Sequence, residues 1–91
     1  MELVKINEQY KLTDTTEIGW IVEGNVTKNT TGEVLIYFNV VSAEGERLGN
    51  MNYRNNIDNT VSVNYHVVDS HKDIFKEYSN NLVSEIKTYF E

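Results

Sequence analysis

The side chains best equipped for chemistry lie in one short run, His66-Val67-Val68-Asp69-Ser70-His71. Imidazole and carboxylate groups converging on one point can hold a metal ion, and a strand-to-helix junction can bring near neighbours together. Ser70 beside Asp69 and His71 also offers the types of a nucleophile, an orienting acid and a base. Neither chemistry fits the spacing. The run matches no metal-binding motif, and a catalytic triad is assembled from distant segments rather than consecutive residues. The run reads better as a surface strand histidine (His66), a helix cap (Asp69 or Ser70) and a first-turn histidine (His71). No catalytic residue, metal ligand or cofactor is assigned to it. The sequence holds no Gly-rich phosphate loop, dinucleotide fingerprint or His-Glu-x-x-His element. It holds no cysteine, which excludes thiol nucleophiles, cysteine zinc sites and iron–sulfur clusters. No carboxylate pair stands out as a catalytic couple. The expectation is a protein that is not an enzyme.

At 91 residues the chain has the size of one domain, 1–91. Hydrophobic residues make up 40% and charged residues 24%, which suits a folded globular domain. A core this small usually needs disulfides outside the cell, so the lack of cysteine predicts a reducing compartment. The opening Met1-Glu2-Leu3-Val4-Lys5-Ile6-Asn7-Glu8 is too polar for a signal peptide. No apolar run reaches the roughly 18 residues of a membrane helix. A cytoplasmic protein without a membrane partner is expected. The sequons Asn25-Val26-Thr27 and Asn29-Thr30-Thr31 then read as strand and turn residues. With 14 acidic against 8 basic residues, the net charge of -6 predicts no direct nucleic-acid contact, which needs a basic face. The bias toward Asn, Lys, Ile, Tyr and Glu, with no proline, suits an AT-rich bacterial or phage origin.

Strand-like alternation fills residues 1–68 and helical spacing fills 69–91, an order that predicts an α+β fold. Leu3 to Ile6 reads as a short edge strand that Tyr10 to Leu12 could continue, followed by a turn at Asp14-Thr15-Thr16. Ile18 to Thr27 puts Ile18, Trp20, Val22 and Val26 on one face. Glu33 to Val41 is apolar on both faces. Arg47 to Arg54 is a weaker strand, Asn55 to Asn59 a polar loop, and Thr60 to Val67 alternates strictly. Turns at Asn29–Gly32 and Ala43–Glu46 join neighbours, which predicts a four- to five-stranded antiparallel meander. From Ser70 to Phe90, Ile74, Tyr78, Leu82, Ile86 and Tyr89 or Phe90 recur at helical spacing with Phe75 alongside. This amphipathic C-terminal helix should cover one sheet face.

One helix covers only one face. The other is expected to carry Ile21, Leu35, Tyr37, Val41, Met51 and Tyr53. An uncovered apolar and aromatic surface suits a protein interface. The sequence therefore predicts a protein-interaction module that binds a protein partner, self-association being one form of this, through these six residues. A small acidic regulator or inhibitor of a basic, nucleic-acid-handling protein is an alternative reading; its binding would weaken with salt. A small-ligand pocket between sheet and helix is a further alternative, for which the core has little spare volume.

Overall fold

The computed structural model describes residues 1–7, 9–56 and 58–90. Ile57 of the expected loop and the terminal Glu91 lie outside these. The strands are β1 (Glu2–Ile6), β2 (Gln9–Thr15), β3 (Ile21–Lys28), β4 (Val34–Val41), β5 (Arg47–Asn55) and β6 (Val61–Val67). A single helical turn (Asp69–His71) leads into α1 (Lys72–Tyr89). The strands form a six-stranded antiparallel sheet in sequence order, β1-β2-β3-β4-β5-β6. The α+β meander with its C-terminal helix is as the sequence predicts, with more strands. Leu3–Ile6 and Tyr10–Leu12 are not one strand: the chain reverses after Ile6 at Asn7 (φ 59), and Ile6 pairs with Gln9. Asparagine accepts this left-handed backbone because its short amide can satisfy the chain locally. Asp14 and Thr15 belong to β2, opposite Val22 and Ile21. The turn instead spans Thr16 to Trp20, closed by backbone bonds between these two residues and around Gly19 at φ 87. Ile18 therefore sits exposed in the turn, whereas Trp20 is buried.

Strand alternation puts Val22, Val26, Val34, Ile36, Phe38 and Val40 on the side that faces α1. The helix meets them with Phe75, Leu82 and Ile86. Phe75 is the hub: its ring packs 6.3 Å from Phe38, 6.3 Å from Tyr65 and 6.5 Å from Trp20. The buried stripe is Phe75, Ser79, Leu82 and Ile86. Ile74 and Tyr89, expected in the stripe, are exposed, and Tyr78 lies on its flank. The helix is thus turned by one residue from the expected orientation, with Ser79 rather than Tyr78 at the centre of the buried stripe. Flanking contacts fix that rotation. Tyr78 donates to Asp14 on β2 at 2.6 Å, Tyr65 on β6 donates to Asn80 at 3.1 Å, and the Lys87 ammonium lies 5.6 Å above the Tyr53 ring. The helix start also differs. Asp69 and Ser70 make no side-chain cap; the tight turn Asp69–His71 leads in, and the Ser70 hydroxyl bonds His71 Nδ1 at 2.9 Å. No helix is long and apolar enough to cross a membrane among the described residues.

Ser79 is wholly buried, and its hydroxyl has no hydrogen-bond partner among the described residues. A buried unpaired hydroxyl costs more than it contributes. Ser79→Ala is therefore expected to stabilise the fold by about 1 kcal/mol, raising the melting temperature by roughly 4–8 °C. A thermal melt checks this. A fall in melting temperature would show that the hydroxyl has a partner.

Candidate interaction face

The side of the sheet away from α1 is organised in rows, because directly opposed residues of antiparallel strands share a face. The register gives a central row Lys11–Asn25–Tyr37–Asn52–Asn64. Beside it run Glu23–Asn39–Asn50–His66 and Thr27–Leu35–Arg54–Ser62. A further row holds Ile21, Val41 and Arg47. Four of the six residues that the sequence assigns to this face are therefore here: Ile21, Leu35, Tyr37 and Val41. Ile21 is exposed and the other three are half-buried.

Met51 and Tyr53 are not here. They oppose Phe38 and Ile36, on the helix side, and both are buried. The cause is a β-bulge. Val40 faces Gly49 but Val41 faces Arg47, so Leu48 is an extra residue in β5. Leu48 and Gly49 both fall on the helix side, and every later residue of β5 changes face relative to simple alternation from Leu48. Asn50, Asn52 and Arg54 take the places on the open face that alternation gives to Gly49, Met51 and Tyr53. The Leu48-Gly49 pair beside a hairpin turn is the signal that could have revealed this.

The open face is consequently rich in side-chain amides. Each amide both donates and accepts hydrogen bonds. Tyr37 lies among them and donates to Asn39 Oδ1 at 3.0 Å. Arg54 pairs with Glu33 at 2.9 Å, which offsets the one cation in the Leu35 row. A shallow depression opens around Tyr37, between Asn25, Leu35, Asn52, Arg54 and Asn64. Aromatic and amide groups in such a depression suit a partner that offers peptide groups and apolar side chains.

The His66–His71 run does not assemble. His66 stands on the open face opposite Asn50, whereas His71 packs on the other side of the sheet, its ring 6.0 Å from Trp20. Among the described residues no group of three or more His, Cys, Asp or Glu side chains is placed to hold a metal. The shifted titrations lie off the face. Burial raises the Asp14 carboxyl, but hydrogen bonds from Tyr78, the Met1 amino group and the Thr15 backbone outweigh it and hold Asp14 below the usual carboxylate range. Its hydrogen bond to Asp14 raises the Met1 ammonium, and burial with the Asp14 contact raises the Tyr78 phenol. A carboxyl lowered in the folded state stabilises the fold above its unfolded value and stops doing so as pH falls through the folded one. These groups therefore anchor the helix to β2.

No family model matches the chain, and no curated protein or solved structure is significantly similar to it.

Proposed function

We propose that the protein is a non-catalytic interaction module that takes a protein partner on the open sheet face. The observation that carries this reading is the central row Asn25–Tyr37–Asn52–Asn64, an aromatic ring flanked by amides and crossing β3 to β6. Tyrosine supplies large contact area at low entropic cost, and amides supply adaptable hydrogen bonds to a partner's backbone. Leu35, Ile21 and Val41 add apolar area at the margins. The absence of cysteine supports a reducing, cytoplasmic setting.

The test is capture from bacterial lysate, with the wild-type chain and Tyr37→Ala side by side. Captured partners are then measured by calorimetry. A tyrosine at the centre of an interface typically costs about 2 kcal/mol or more when truncated, or roughly thirtyfold in affinity. Tyr37→Ala should weaken a true partner by that amount with little change in melting temperature. A partner bound equally by wild type and by Tyr37→Ala would place the interface elsewhere.

A further inference from the structure

We infer that two copies of this chain pair through the free edge of β6, forming one continuous antiparallel sheet with both helices on the same side. The contact is made by the edge strand and not by the open face.

The sheet has two edges, and they differ. β1 carries Glu2 and Lys5 along its short length. Charged side chains on an edge oppose pairing with another strand. β6 reads Val61-Ser62-Val63-Asn64-Tyr65-His66-Val67, with no acidic residue, lysine, arginine or proline. It is also regular, each residue paired in unbroken register with β5 from Val61 to Val67. In a chain of net charge -6, this is a strip along which a second copy can approach without setting acid against acid.

The outer edge presents the right backbone groups. At one end of β6 the Asn56 amide donates to the Thr60 carbonyl; at the other the Val68 amide donates to the Leu48 carbonyl. Even-numbered positions therefore turn toward β5. Val61, Val63, Tyr65 and Val67 turn their N–H and C=O groups outward. These are the groups that a pairing strand needs.

The sequence of β6 is self-complementary about Asn64. Antiparallel pairing centred there opposes Val63 with Tyr65 of the second copy, Val61 with Val67, and Ser62 with His66. Every apolar side chain meets an apolar one, and every polar one a polar one. The outward-facing backbone positions meet each other, so each such pair exchanges both hydrogen bonds. β1 lacks this property: centred on Val4, it would oppose Leu3 with Lys5. Pairing also explains an exposed part of the core stripe. Val61 and Val63 are 49% and 39% exposed on the helix side of β6, beyond the reach of their own helix. The second copy would set Val67 and Tyr65 beside them.

The register is testable because the chain has no cysteine. Asn64 meets its own counterpart at the two-fold axis as a non-hydrogen-bonded pair, with Cα atoms about 4.5 Å apart, inside the range a disulfide spans. Asn64→Cys should therefore crosslink to a covalent dimer under mild oxidation. Ser62→Cys, facing His66 across the seam, should not, whereas the double variant Ser62→Cys with His66→Cys should. Sedimentation of the wild-type chain should show a dimer that Val63→Lys weakens by about tenfold or more, and that Tyr37→Glu leaves intact. A wild-type chain that sediments as a monomer at high micromolar concentration would overturn the inference. So would equal crosslinking of Asn64→Cys and Ser62→Cys. Loss of the dimer in Tyr37→Glu alone would move self-association to the open face.

Discussion

Phe75→Ala is expected to remove about 3–5 kcal/mol of stability, enough to leave the domain partly unfolded at ordinary temperature. Phe75 is fully buried, and its ring touches Trp20, Phe38 and Tyr65, which come from the β2–β3 turn, β4 and β6. Truncation removes the one helix side chain whose ring packs on all three, and the cavity left behind lies where sheet and helix meet. A domain of this size has a total stability of only roughly 5–15 kcal/mol, so the loss is a large fraction of it. Urea or thermal denaturation followed by circular dichroism reads the change. Ile74→Ala is the companion measurement. Ile74 is 54% exposed, so its truncation should change stability by less than about 0.5 kcal/mol. A loss at Ile74 as large as at Phe75 would mean that the helix is rotated from the orientation described.

Gly24→Ala is expected to destabilise by about 1–3 kcal/mol or more, although it adds one methyl group. Gly24 sits in β3 between Leu12 and Phe38. A Cβ there would approach the Tyr37 carbonyl oxygen and the Phe38 Cα (2.6 Å) far inside van der Waals contact. Both obstacles are backbone atoms of β4, so no side chain can turn aside to make room. The pair β3–β4 would have to part locally, at the centre of the sheet and under the open face. Chemical denaturation gives the magnitude. Amide chemical shifts should show the disturbance centred on Tyr37 and Phe38. A variant as stable as wild type would show that the strands do not approach so closely. Gly49 is constrained in the same way by the His66 carbonyl and Val67 Cα, and should respond alike.

The parts of the fold legible in the sequence are those where a single periodicity runs undisturbed. β4 announces itself because Val34 to Val41 is apolar on both faces, and β6 because it alternates without exception. The first hairpin was not legible, since Asn7 carries no glycine to mark the reversal. The helix was recognisable but its rotation was not. Ile74, Phe75 and Tyr78 are all apolar over one broad arc, and the buried centre is Ser79, a residue that hydropathy places outside. The expected cap at Asp69 or Ser70 gave way to a tight turn for which these residues carry no separate signature. On the open face, Ile21, Leu35, Tyr37 and Val41 were legible from the two-sided character of β4 and its neighbour. Met51 and Tyr53 were misplaced because one extra residue, Leu48, reverses the alternation after it. The asparagines that replace them were visible as letters, but an amide on a strand signals neither core nor interface until its neighbours across the sheet are known.

The unbroken order of the strands has a consequence for how the chain reaches this state. Every strand pairs with the one made immediately before it, so each pairing closes only a short loop and carries a small entropic cost. The sheet can grow by adding hairpins from any starting point, without waiting for distant segments to meet, and such topologies fold quickly for their strand content. Until α1 docks, however, the apolar side of that growing sheet has no cover. Any paired strands formed before α1 docks would therefore expose Val22, Ile36 and Phe38, apolar side chains that favour association with other chains.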